Sequence, residues 1–200
     1  MGIEIPQNKF LILDGAMGTV LQQRGLSPQG RPELLNLTEP ELLDSVYKEY
    51  IAAGSQVIYA NTFGANGLKL AKTGHSVEEV VGAAIAVAKK AAAGTGTLVA
   101  LDVGPLGELL EPMGTLSFER AYDLFREMAE AGAKAGADLI VVETMTDLYE
   151  AKAALLAAKE AAHLPVFVTM SFDAGGRTFT GCTVAVSYTH LRAHETDQYL

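Results

Sequence analysis

Cysteine is almost absent from this chain: Cys182 is the only one in 200 residues. A lone thiol excludes a disulfide framework and any thiolate-rich metal centre built from this chain alone. Basic residues are also scarce. Fifteen Lys and Arg stand against 24 Asp and Glu, a net charge of −9, which argues against a nucleic-acid backbone or an anionic lipid surface as partner. No apolar run approaches the ~18 residues of a membrane span. The N-terminal MGIEIPQNKF lacks the basic start and apolar stretch of a secretory signal. These absences predict a cytoplasmic protein with no nucleic-acid and no membrane partner.

Several catalytic signatures are missing too. DGAMGT and DVGPLGELLEPMG form neither a GxGxxG pattern nor a P-loop, which leaves no phosphate cradle. No lysine follows a predicted strand, against a Schiff-base aldolase, and Ser171 has no His and Asp at triad spacing. His75 reads as a loop residue and His163 as a helix end. His190 and His194 share the four-residue spacing of a two-histidine metal site, but no third ligand accompanies them.

What is present is an apolar chain, 49% hydrophobic, in which short apolar runs alternate with helical patterns. FLIL (10–13), VIYA (57–60), LVAL (98–101), LIVV (139–142) and VFVTM (166–170) read as strands. The helix from about Pro40 opens with Thr38 and Glu41 at capping-box spacing and turns Leu43, Val46, Tyr47 and Tyr50 to one face. Ser76 and Ser117 open two more, and a fourth carries Leu148, Ala151, Leu155, Ala158 and Ala162. Near-continuous apolar strands separated by long helices predict a parallel sheet covered by helices. AGSQVIYANT (53–62) and AGADLIVVET (135–144) also echo each other across 82 residues, a βα repeat that suits a (β/α)₈ TIM-type barrel. Such a barrel takes roughly 250 residues, so the rhythm predicts an incomplete one, with about five of eight βα units.

The residues that follow the strands are polar: Asp14, Asn61 with Thr62, Asp102, Glu143 and Ser171. In a barrel these positions line the C-terminal mouth. Three acids and an amide there suit a cationic group, such as an α-amino group, or a hard metal ion. Gly15, beside Asp14, would let a backbone N–H approach a ligand closely.

LDGAMGT, PELLNLTEPELLDSVYKEYIAAGSQVIYANTFGAN, DVGPLGELLEPMG, VVETMTDLYEAKAALLAA and FDAGGRTFTGCT together resemble the homocysteine-binding domain of cobalamin-dependent methionine synthases, from about Phe10 to Ala185. The DGxMGT and NTF motifs are shared with the wider homocysteine S-methyltransferase family, including betaine- and S-methylmethionine-type enzymes and those linked to methylenetetrahydrofolate reductase. The resemblance implies the same barrel, with a pocket in which Asp14, Gly15 and Glu143 hold the amino-acid end of homocysteine. It sets Asn61 and Thr62 at the pocket floor, and Asp102 completes the expected substrate-binding set. It also implies zinc, held by three cysteines in G-x-N-C and GGCC motifs, which activates the homocysteine thiol. Cobalamin- and folate-binding modules of a parent protein are the implied partners, with cobalamin as the second cofactor.

Neither cysteine motif occurs here, and Cys182 in TFTGCT matches no zinc-ligand position. The expected arrangement is a partial homocysteine-binding barrel over 1–185, and no catalytic residue or metal ligand is assigned within it. Residues 186–200, which break the βα rhythm, are read as a non-native tail. The chain alone is expected not to transfer methyl groups. A non-catalytic binding protein on a shortened, oligomeric sheet is the reading from another class, and a lyase using a hard metal is a third.

Overall fold

The structure, a computed structural model, describes residues 10–27 and 30–196, with only the backbone at 193–196. The N-terminal residues 1–9, the last four of the tail and the His194 side chain lie outside the described residues. Four strands, β1 (Val57–Tyr59), β2 (Leu98–Val103), β3 (Leu139–Met145) and β4 (Val166–Met170), form one parallel sheet in the order β1-β2-β3-β4. Helices α3 (Pro40–Ala52), α5 (Val77–Ala92), α6 (Phe118–Ala135) and α7 (Leu148–Ala162) connect or precede them. Shorter helices α1 (Met17–Gln23), α2 (Leu35–Thr38) and α4 (Gly67–Leu70) occupy the connections, and α8 (Val184–Thr196) ends the described chain. The result is an α/β fold and an incomplete barrel, as the sequence rhythm predicts.

Strict alternation explains the apolar strands. Ile58, Val99, Leu101, Ile140 and Val142 face the helices, while Val57, Ala100, Leu139 and Val141 form a second cluster on the opposite, concave face. Both faces are covered, so neither register of side chains is polar until the strand ends. Close approach of α6 to the sheet depends on Gly132, where a Cβ would stand 2.7 Å from Leu101 Cδ2. The two echoing segments begin alike, with Gly54 and Gly136 at φ +106° and +92°, a left-handed conformation that ends the preceding helix and turns the chain into a strand.

Two expectations are corrected. FLIL is not a full strand: only Leu13 bridges, in parallel, to Val57. The Gln56 side chain takes the Ile12 N–H (2.9 Å), and the Ile12 carbonyl accepts from both Gln56 and Val57 N–H, so side-chain bonding replaces a regular ladder. The second concerns Thr38, which does not cap α3. It ends α2, its hydroxyl bonded back to the Leu34 carbonyl, and α3 starts on Pro40, whose fixed φ needs no capping side chain. Ser76 and Ser117 do cap, accepting from Glu79 and Arg120 N–H. Asp147 caps α7 in the same way.

Candidate functional site

β2 and β3 run two or three residues past their apolar cores, so Asp102 and Glu143 lie within the strands; Asp102 pairs in register with Val141. By alternation both follow the inward set, Leu98–Ala100–Asp102 and Leu139–Val141–Glu143. Asp14 arrives from the Leu13 bridge, its own N–H donating to the Val57 carbonyl (3.0 Å) and its Oδ2 accepting the Tyr59 N–H (2.8 Å). The three acids line one cavity of about 530 Å³, together with Gly15, Glu33, Tyr59, Asn61, Phe63 and Thr144. Among the described residues, no Lys, Arg or His lines it.

The amide and hydroxyl expected at the floor are used by the fold. Asn61 Nδ2 donates to the Pro32 carbonyl (2.6 Å) and to Asn36 Oδ1 (3.3 Å), clamping the 3₁₀ turn Pro32–Leu34 against the end of β1. Thr62 is fully buried and does not line the cavity. Its hydroxyl donates to the Asp102 carbonyl (2.7 Å) and accepts the Asp102 N–H (3.0 Å). Gly15 makes room for Tyr50, whose ring and hydroxyl would lie 3.1 Å from a Cβ there. Ser171 is exposed and stands outside the cavity.

Burial dominates the electrostatics. It pushes the Asp14 carboxyl up to about 7, against two backbone hydrogen bonds that favour the anion, and Glu143 adds to the rise. Asp102, 7% exposed, is raised well above the ordinary carboxylate range by burial and then by Glu143 and Asp14; its Oδ1 has no hydrogen-bond partner among the described residues. Glu143 is raised by burial. Tyr59 is pushed up to about 12 by burial and by the three surrounding carboxylates, so its phenol stays protonated. Burial of three carboxyls in one pocket disfavours their charged forms unless an opposite charge is brought in.

Tyr59, Glu33, Phe63 and Thr144 are pocket residues not singled out from the sequence. Tyr59 was accessible by alternation, lying two residues after inward Val57 and two before Asn61. Glu33, whose Oε1 accepts the Gly64 N–H (2.8 Å), lies 31 residues upstream in sequence from that partner, with no local signal. Among the described residues, no three His, Cys, Asp or Glu side chains are grouped to hold a metal ion. Cys182 sits in the loop after β4, its N–H bonded to Thr178 Oγ1 (3.0 Å). The donors at the mouth are carboxylates, an amide and hydroxyls, with no thiolate among the described residues, which does not fit a thiolate zinc centre. No described helix is long and apolar enough to cross a membrane.

The homocysteine S-methyltransferase family profile matches residues 11–199. Methionine synthases of Mycobacterium tuberculosis and Mycobacterium leprae are 30% and 29% identical to this chain, over 94% and 92% of it. The chain spans 17% of the length of each. The homocysteine methyltransferase MmuM of Escherichia coli, in its oxidized form, superposes with a TM-score of 0.80 at 26% identity over 92% of this chain and 69% of its own. Its metallated form, 24% identical, shares the fold with a TM-score of 0.81 over 94% of this chain and 72% of its own. With its acid-lined mouth on an incomplete parallel barrel, the chain belongs to the homocysteine S-methyltransferase family.

Proposed function

We propose that this chain is the homocysteine-binding part of a zinc-dependent methionine synthase, in which a methyl group passes from methylcobalamin to the homocysteine thiolate to give methionine. The observation that carries this reading is the pocket: Asp14, Asp102 and Glu143 converge with no basic side chain among the described residues. An α-ammonium group supplies the missing charge. Asp14 and Glu143 hold it as carboxylates, and Asp14 ionises near neutral pH, so the ligand's cation completes its deprotonation. Two methionine synthases among the relatives support the choice of reaction. The cobalamin- and folate-binding modules of a larger protein would deliver the methyl group.

This chain's residues bind and orient the amino acid. They do not form the three-cysteine centre that the family resemblance implies, and the chain alone is expected to bind without transferring methyl groups. Calorimetric titration with L-methionine tests the pocket. Asp14→Asn and Glu143→Gln should each weaken binding about tenfold or more. Unchanged affinity in both variants would remove the reading. Equilibrium dialysis should find no tightly held zinc; one tightly bound equivalent would contradict the account of this chain.

A further inference from the structure

Glu143 and Thr144 are consecutive residues of a strand, yet both line the same cavity. A regular strand forbids this, since successive side chains point to opposite faces. The exception comes from the irregularity in the β3–β4 ladder between Val142 and Met145. Thr144 is the extra residue of a bulge, with φ +61°, in the left-handed region. Regular alternation would have sent Thr144 towards the helices and Met145 into the mouth. Instead Met145 is fully buried in the helix-side core and Thr144 is turned to the pocket. A β-branched residue disfavours this backbone, which persists only where the surrounding structure imposes it. Glycine would adopt it freely. The Thr144 N–H is held by Thr169 Oγ1 on β4 (3.3 Å), so the neighbouring strand supports the bulge. Among the described residues the Thr144 hydroxyl has no protein partner.

Among the described residues, the charged side chains at the mouth, Asp14, Glu33, Asp102 and Glu143, are all acids. They suit an ammonium group and repel the carboxylate that an α-amino acid carries beside it. We infer that Thr144 is a specificity-determining residue of this pocket: the bulge presents its hydroxyl next to Glu143 so that it donates a hydrogen bond to the carboxylate of the bound amino acid. This rests on the reading of the cavity as an amino-acid pocket.

The test compares two ligands, L-methionine and its decarboxylated counterpart 3-(methylthio)propylamine, titrated into the full 200-residue chain. Thr144→Val keeps the β-branch and removes the hydroxyl. It should weaken L-methionine about fivefold to tenfold and leave the amine within about twofold. Thr144→Ser should restore most of the affinity. Thr144→Gly, which relieves the backbone, should raise the melting temperature and still bind L-methionine as weakly as Thr144→Val. Unchanged L-methionine binding in Thr144→Val, or equal losses for both ligands, overturns the inference. The companion variant Glu143→Gln separates the two levels. If it loses binding while Thr144→Val does not, the pocket reading stands and the role of Thr144 falls. If Glu143→Gln binds normally, both fall.

Discussion

Asp14 places a carboxyl where burial opposes its ionisation. Its folded-state pKa of about 7 lies above the unfolded value near 3.8, because burial disfavours the charge more than two backbone hydrogen bonds favour it. The folded chain therefore binds this proton more tightly than the unfolded chain does. The resulting stability is fully present below the unfolded pKa and is lost as pH rises through about 7. Asp102 and Glu143 are shifted in the same direction. The unliganded chain should melt at a lower temperature at pH 8 than at pH 5, and Asp14→Asn should flatten that slope, since Asn still accepts the Tyr59 N–H. Affinity for an ammonium ligand runs the opposite way. Ligand binding requires the carboxylate, so the dissociation constant of L-methionine should fall from pH 6 to pH 8, and this dependence too should flatten in Asp14→Asn. A melting temperature and an affinity both indifferent to pH would show that Asp14 is ionised without help.

Where two strands end together, one side chain secures them. Thr62 follows β1 and bonds both backbone groups of Asp102 on β2, entirely out of solvent. Thr62→Val preserves the shape and leaves a buried N–H and a buried carbonyl without that partner, a loss of about 1–3 kcal/mol. Urea unfolding measures it. Because the hydroxyl does not reach the cavity, L-methionine affinity of the folded variant should stay within about twofold. A tenfold loss with unchanged stability would instead make Thr62 a ligand contact. Elements with repeated signals were readable from sequence: the strands from β1 to β4, the Ser76 and Ser117 caps, and the glycines that close helices before β1 and β3. The acids Asp14, Asp102 and Glu143 were readable as one constellation because strand ends converge at a barrel mouth. Three features were not. FLIL has strand composition, but Gln56 diverts its pairing. Thr144 owes its direction to a bulge that leaves no mark in the periodicity. Glu33 and Phe63 reach the pocket through turns whose path depends on tertiary contacts. Asn61 and Thr62 were placed beside the pocket, but the partners that engage them, Pro32, Asn36 and Asp102, come from other segments.

A closed barrel has no edges, whereas the sheet formed by the described residues has two. On the β1 side the Leu13 segment exposes Phe10 (92%) and Ile12 (49%) next to a single bridge. On the other side β4 is only half-buried, and an apolar groove of about 680 Å³ lies between Val166, Val168, Met170, Leu155 and Leu191 of α8. Exposed edges with apolar side chains template pairing with another chain. The 200-residue chain should therefore associate with itself as concentration rises, detectable by light scattering or sedimentation. Charged side chains on an edge blunt such pairing, so Phe10→Lys combined with Ile12→Lys should weaken association if this edge is the route. The double substitution also changes the net charge from −9 to about −7, which by itself reduces repulsion between copies and favours association. The two effects thus oppose each other. Weaker association in the variant identifies edge pairing as the cause, and stronger association assigns it to general charge or to the β4 groove.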